Sequence, residues 1–84
     1  MSETKIGEIT HYFADISVAV LNLSHPLRVG NAIKIVGETT DFQQTVESMQ
    51  VEHEDVEEVQ PGQDVAIKVE DRVREGDDVY LVEE

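Results

Sequence analysis

A short pattern that occurs three times constrains the fold of this chain more than any other feature: a glycine followed by apolar residues three and five positions later. The copies begin at Gly30, Gly62 and Gly76. Glycine accepts a positive φ, and a small polar residue beside it can hydrogen-bond to nearby backbone, so each copy begins as a turn. Apolar residues two apart then lie on one face of a strand. Three turn-and-strand units in 84 residues predict a small, closed or nearly closed β structure.

Alternating hydrophobicity predicts further strands around these units. Residues 6–13 form a strand whose Gly7, Ile9, His11 and Phe13 share one face. Ala14 and Asp15 make a short hairpin connection to a central strand at residues 16–23, and residues 24–28 form a loop because Pro26 cannot donate to a ladder. The glycine units supply strands at residues 32–36, 64–69 and 79–82.

Three stretches are less clear. Residues 41–50 fit a helix, since Phe42, Val46 and Met49 have helical spacing, but they also fit a strand with a bulge near Glu47 and Ser48. The acid-rich residues 51–59 predict a short edge strand followed by a loop or a single helical turn. Residues 70–74 are expected to continue the preceding strand as a polar extension.

Composition bounds the class of protein. The chain length predicts one domain over residues 1–84. The lack of cysteine excludes disulfides, thiolate metal sites and cysteine nucleophiles, and fits a cytoplasmic protein. No apolar run reaches the roughly 20 residues that span a bilayer, and no signal peptide is evident. We therefore expect a soluble, cytoplasmic protein.

Charge narrows the choice of partners. The chain has 19 acidic and 6 basic residues, for a net charge of −13. Such a chain repels polyanions at long range, which disfavours DNA, anionic membranes and charge-driven RNA binding. Direct contact with RNA would require the basic residues to gather on one face: Arg28, Lys34, Lys68, Arg72 and Arg74.

No catalytic motif is present, and we expect a non-enzymatic protein without a cofactor. The best metal candidate is His53 among Glu52, Glu54 and Asp55. Adjacent residues of a strand point to opposite faces, so a solvated acidic face is favoured over a metal site. A small enzyme that uses paired carboxylates, near residues 57–58 or 77–78, is the alternative of a different class.

Candidate partner contacts lie in three places. Arg72 and Arg74, two apart on a predicted strand edge, can clamp a phosphate or carboxylate, or can instead neutralise neighbouring acids. The run of His11, Tyr12 and Phe13 can present aromatic rings to a partner or plug the end of a barrel. Arg28, in the loop before the first glycine unit, completes the set.

Residues 46–69, with Val29-Gly30-Asn31 before them and residues 74–77 after them, resemble the second, β-barrel domain of translational GTPases such as elongation factor Tu. The resemblance implies a six- or seven-stranded Greek-key barrel and favours a strand over residues 41–50. It also implies a non-catalytic module that associates with a translation component: the ribosome, tRNA or a factor.

The chain is also similar to the C-terminal domain of the collagenase-like peptidase family, some members of which act on RNA. This second resemblance implies an alternative function as a detached accessory barrel or subunit of a larger enzyme. In both cases a protein or ribonucleoprotein partner is expected.

Overall fold

The structure, a computed structural model, describes residues 2–83, and these form ten β-strands. The strands are β1 (Ser2–Phe13), β2 (Val18–Leu23), β3 (Leu27–Arg28), β4 (Ala32–Val36), β5 (Asp41–Thr45), β6 (Met49–Val51), β7 (Glu54–Val56), β8 (Glu58–Val59), β9 (Asp64–Lys68) and β10 (Asp78–Glu83). The predicted all-β class is confirmed. Residues 2–83 contain no helix long and apolar enough to cross a membrane.

The strands curl into a barrel-like sheet in which the end strands β5 and β7 do not pair with each other. Eight of them form one antiparallel sheet in the order β5-β4-β10-β1-β2-β9-β6-β7, and β3 pairs with β8. Gln44 on the end strand β5 reaches across to the chain that leaves β9. Its Nε2 donates to the Lys68 carbonyl at 2.9 Å, and its Oε1 accepts the Glu70 N–H at 2.8 Å. This buried amide therefore joins the end strand β5 to the chain that leaves β9, two strands inside the other end of the sheet.

The three glycine units form three equivalent turns. Gly30, Gly62 and Gly76 have φ values of 98°, 89° and 92°, at the position where a type II turn requires a positive φ. Each glycine N–H donates at 2.8 Å to the carbonyl of a buried residue that lies in another strand or directly after one. The residue that accepts this bond also donates its own N–H to the carbonyl of the residue after the glycine. The acceptors are Val46, Leu23 and Ile9, respectively.

Side chains also pin these turns. The residue after each glycine accepts the backbone N–H of the residue three positions before it. Arg28 N donates to Asn31 Oδ1 and Arg74 N to Asp77 Oδ2, both at 2.8 Å, and Gln60 N donates to Gln63 Oε1 at 3.3 Å. The sequence repeat is therefore a structural repeat in which a pinned turn starts a strand.

The predicted inward residues of these strands are buried. Alternate positions of β4, β9 and β10 fill one aliphatic core: Ile33, Ile35, Val65, Ile67, Val79 and Leu81. Val69, just beyond β9, is buried with them. The core continues into the other strands through residues such as Ile6, Leu21 and Met49.

The prediction that Gly7, Ile9, His11 and Phe13 share one face of β1 is wrong beyond Ile9. The β1 register shifts twice, once between Lys5 and Gly7 against β10 and once between Ile9 and His11 against β2. An extra residue in a ladder reverses the alternation of the side chains that follow it. Tyr12 consequently packs against the core, whereas His11 and Phe13 point outward.

The β1–β2 connection is longer than predicted. It spans residues 14–17, with Ser17 at φ 55°, and β2 starts at Val18 rather than Ile16. Ile16 is therefore not in the predicted strand and lies 58% exposed in the turn. At the other end, β1 begins at Ser2 rather than residue 6.

The ambiguous stretches are also resolved. Residues 41–45 are strand, and Gln44 and Val46 are buried, with Phe42 half-buried against the same core. Residues 49–56 form the β6–β7 hairpin, whose turn residues Glu52 and His53 both have positive φ. The loop predicted at residues 24–28 contains the short strand β3, paired with β8. Residues 70–74 are irregular rather than a strand continuation.

Candidate functional site

The most distinctive surface feature is a depression of about 350 Å³ between the start of β5 and the closing segment, which we define as residues 69–74. We call it the arginine depression. Its lining residues are Thr39, Thr40, Asp41, Phe42, Asp71, Arg72 and Arg74. Val73 is buried, so its two neighbours, Arg72 and Arg74, both turn outward into the same depression. The predicted pair of arginines is thus brought together without a strand.

The two guanidinium groups have no ion-pair partner among residues 2–83. Of the two adjacent carboxylates in sequence, Asp71 accepts the backbone N–H of Arg72 at 2.8 Å and Glu75 lies 3.8 Å from His11 Nδ1. By contrast, Lys5, Lys34 and Arg28 are each within 4 Å of a carboxylate, on Asp78, Glu3 and Glu58. Two unpaired arginines in one depression are unusual in so acidic a chain. They are available to bind an oxyanion, because a guanidinium can donate two parallel hydrogen bonds to it.

The third glycine turn fixes the position of Arg74. Asp77 accepts the Arg74 N–H and returns its own N–H to the Arg74 carbonyl at 3.1 Å. Asp77 is only 5% exposed and its carboxylate lies against Gly37. The backbone that carries Arg74 is therefore held on both sides.

A second surface lies at the tip of the β1–β2 hairpin. Phe13 is 46% exposed and Ile16 is 58% exposed, although both are large apolar side chains. The His11 ring lies beside that of Phe13, with centroids 6.3 Å apart. We call these three residues the hairpin tip. Tyr12, which the sequence placed with them, instead packs against the core.

The two surfaces are neighbours around the third glycine turn. His11 Nδ1 lies 3.8 Å from Glu75 Oε1, and Glu75 follows Arg74 in the chain. Arg28 is not part of this arrangement, because it lies on β3 and faces Glu58 at 3.6 Å. The structure thus brings four of the six predicted contact residues to adjacent surfaces: His11, Phe13, Arg72 and Arg74.

The acidic run around His53 forms the turn of the β6–β7 hairpin and the strand after it. Glu52, His53, Glu54 and Asp55 are all exposed. Within residues 2–83, no three His, Cys, Asp or Glu side chains come close enough to hold one metal ion. Thr39, Thr40 and Phe42 were missed as site residues, because only long-range closure of the sheet places them beside Arg72 and Arg74.

No protein-family model matches the chain. It is similar to the uncharacterized protease MJ0090 of Methanocaldococcus jannaschii, with 42% identity over 81 residues, 95% of this chain and 20% of that protein. It is also similar to a collagenase of Porphyromonas gingivalis, with 35% identity over 80 residues, 93% of this chain and 22% of that protein. The chain spans about a fifth of the length of these curated relatives.

Two solved structures share the fold. Both are crystal structures of the C-terminal domain of a putative U32 peptidase from Geobacillus thermoleovorans. One superposes with a TM-score of 0.89 at 19% identity and covers 95% of this chain and 93% of that domain. The selenomethionine variant gives a TM-score of 0.85 at 20% identity and covers 89% of this chain and 95% of that domain.

These similarities correct the first resemblance. The chain matches segments of proteins named protease and collagenase, and the fold matches a U32 peptidase C-terminal domain. The assignment to a translation elongation factor barrel is therefore wrong. Short turn-and-strand motifs set the fold of a small barrel, and similar barrels serve unrelated proteins, so those motifs did not identify the family. The second resemblance, to the C-terminal domain of collagenase-like peptidases, is supported at the level of an accessory domain.

Proposed function

We propose that the chain is a non-catalytic accessory barrel that binds the catalytic part of a U32-type peptidase and supports its activity. The observation that carries this proposal is the 42% identity, which extends over nearly the whole chain but covers a fifth of the protease. The remaining four fifths of such a protein have room for a catalytic domain. The superposition on an isolated U32 peptidase C-terminal domain supports the same role.

The hairpin tip is the surface that we propose to contact the catalytic part. Exposed aromatic and large aliphatic side chains are typical of the centres of protein interfaces. Phe13 and Ile16 are far more exposed than the aliphatic residues of the core, and both lie in one hairpin. Val29 is a third exposed apolar residue, at 40%, but it lies in the first glycine turn.

A domain exchange tests the accessory role. In the Porphyromonas gingivalis collagenase, the segment that matches this chain is replaced by the chain itself, and gelatin hydrolysis is compared with that of the intact and the segment-deleted enzyme. We expect the exchanged enzyme to hydrolyse gelatin and the free chain to have no activity. Hydrolysis by the free chain, or an exchanged enzyme that folds but is as inactive as the deleted one, would overturn the proposal.

Two variants of the exchanged enzyme test the contact surface. Phe13→Ser with Ile16→Ser removes the apolar hairpin tip, and we expect activity to fall by at least about tenfold if these side chains anchor the interface. Val29→Ser is the matched control, because it removes an exposed apolar side chain in another turn. Equal losses in both variants would argue against the hairpin tip.

An enzyme that acts on RNA is the second kind of partner for such a barrel. The net charge of −13 and the pairing of three of the six basic residues with carboxylates do not favour contact between this domain and RNA. We therefore propose a polypeptide-directed enzyme. A filter-binding assay of the chain with labelled tRNA at 50 mM salt should show no retention above that of an acidic control protein.

A further inference from the structure

The outer edge of β5 carries backbone groups that no other strand uses. β5 is an end strand of the main sheet and pairs only with β4. The bonds from Gly37 N to Thr40 O and from Val46 N to Asn31 O show which residues of β5 direct their backbone groups toward β4. Positions 40, 42, 44 and 46 face β4, so the N–H and C=O groups of Asp41, Gln43 and Thr45 point away from it.

This edge is accessible. Asp41, Gln43 and Thr45 are all exposed. Among residues 2–83, their outward N–H and C=O groups make no backbone hydrogen bond to another segment. Only the side chain of Gln44, on the inward face, bridges to the closing segment. An end strand with free N–H and C=O groups can accept another strand.

The arginine depression lies at the start of the same edge. Asp41 and Phe42, the first residues of β5, line it together with Arg72 and Arg74. The two guanidinium groups have no carboxylate within ion-pair distance among the described residues, and the hydroxyl-bearing Thr39 and Thr40 complete the opposite wall. A strand paired along β5 would therefore run past two unpaired cations.

We propose that the outer edge of β5 binds an extended polypeptide segment as an added strand, and that Arg72 and Arg74 hold a carboxylate of that segment. The backbone edge supplies affinity that is independent of sequence, and the arginines select an acidic side chain of the bound segment. This site can bind a carboxylate whether or not the chain serves a peptidase.

The chemistry of the site favours a polypeptide over a nucleic acid. The free groups of β5 alternate with the spacing of a strand, which a peptide backbone matches and a phosphodiester backbone does not. The depression also contains the carboxylates of Asp41 and Asp71, so it accommodates one added negative charge rather than a series of phosphates. The net charge of −13 further opposes a polyanion.

A peptide titration followed by NMR tests the site. The probe is a blocked hexapeptide of alternating threonine and valine in which one residue is glutamate, added to the ¹⁵N-labelled chain. We expect chemical-shift changes at the amides of Asp41, Gln43, Thr45, Arg72 and Arg74. Two modified peptides separate the contributions. Replacing the glutamate by glutamine should weaken binding about tenfold, and N-methylation of alternate residues should abolish it.

Variants of the chain complete the test. Arg72→Gln and Arg74→Gln should each weaken binding of the glutamate peptide about tenfold, with little effect on the glutamine peptide. Arg28→Gln is the matched control, because it changes the net charge equally at a site outside the depression. Several results would overturn the proposal: no shift changes at millimolar peptide, equal losses with Arg28→Gln, or tighter binding of an oligouridylate than of the glutamate peptide.

Discussion

At the scale of single residues, two glycines of this chain are needed for space rather than for a turn. A Cβ atom on Gly7 would collide with the backbone carbonyl oxygen of Asn22 on the neighbouring strand. A Cβ atom on Gly37 would collide with the Asp77 carboxylate, the group that fixes the turn carrying Arg74. Both positions permit a close approach between elements that any larger residue would block.

Gly7→Ala is expected to destabilise the barrel by about 1–3 kcal/mol, because a backbone carbonyl can move only if β1 and β2 separate. Urea unfolding followed by circular dichroism measures the change. The neighbouring exposed position supplies the control: Glu8→Ala should change the free energy of unfolding by no more than about 0.5 kcal/mol. Equal effects at the two positions would contradict the steric argument.

Lys5 is the residue whose titration is most clearly coupled to a partner. Its Nζ lies 3.0 Å from Asp78 Oδ1, and this hydrogen bond and the charge of Asp78 raise the pKa of Lys5 above its ordinary value of 10.5. A raised pKa in the folded state stabilises the fold below the ordinary value, and this contribution is lost as pH rises through the folded-state pKa.

A titration of the Lys5 ¹³Cε chemical shift checks this coupling. Asp78→Asn should lower the Lys5 midpoint, and the stability difference between this variant and the original chain should shrink as pH rises past 10.5. Asp15→Asn, in the β1–β2 turn, serves as the control. An unchanged midpoint in Asp78→Asn would show that the ion pair does not persist in solution.

Among the elements, the strands that follow a glycine turn were predictable from sequence. The connecting segments and the inward face of β1 were less predictable. Each glycine unit places its turn directly before its strand in the sequence, so local chemistry suffices. The face of β1 was not predictable, because its two register shifts depend on pairing with β10 and β2 rather than on local pattern. Phe42, Val46 and Met49 give residues 41–50 helical spacing, but the ladder with β4 makes residues 41–45 a strand.

The candidate site shows the same division. Arg72 and Arg74 were predicted to project together from a strand; that strand is absent, and both line one depression because the buried Val73 lies between them. Their neighbours Thr39 and Thr40 are more than thirty positions away in sequence and meet them only when the sheet closes. A single sequence contains no direct signal that these two distant segments lie side by side in the fold.

Gln44 joins β5 to the chain that leaves β9, so its substitution should destabilise the packing of β5. Gln44→Leu removes both hydrogen bonds and leaves the Lys68 carbonyl and the Glu70 N–H without their partner. We expect a loss of about 1–3 kcal/mol, because two hydrogen bonds are lost while the part-buried Lys68 carbonyl and Glu70 N–H regain some hydration. Gln43→Leu, at the exposed neighbouring position, should have a small effect in the same urea assay. A similar loss at both positions would contradict this role of Gln44.

The whole molecule combines a barrel-like fold, a net charge of −13 and two adjacent candidate contact surfaces, the arginine depression and the hairpin tip. The chain matches about a fifth of the length of each relative and shares the fold of a U32 peptidase C-terminal domain, and these two findings support the proposed accessory role. The net charge of −13 argues for polypeptide rather than nucleic-acid partners.

Sedimentation velocity measures whether the chain binds the catalytic part of a U32-type peptidase, as we propose. The chain is mixed with Methanocaldococcus jannaschii protease MJ0090 from which the matching segment has been deleted, after circular dichroism has shown that the deleted protein is folded. We predict a complex with one copy of each protein, which Phe13→Ser with Ile16→Ser weakens and Val29→Ser leaves intact. Separate sedimentation of the two folded proteins at tens of micromolar would contradict the account.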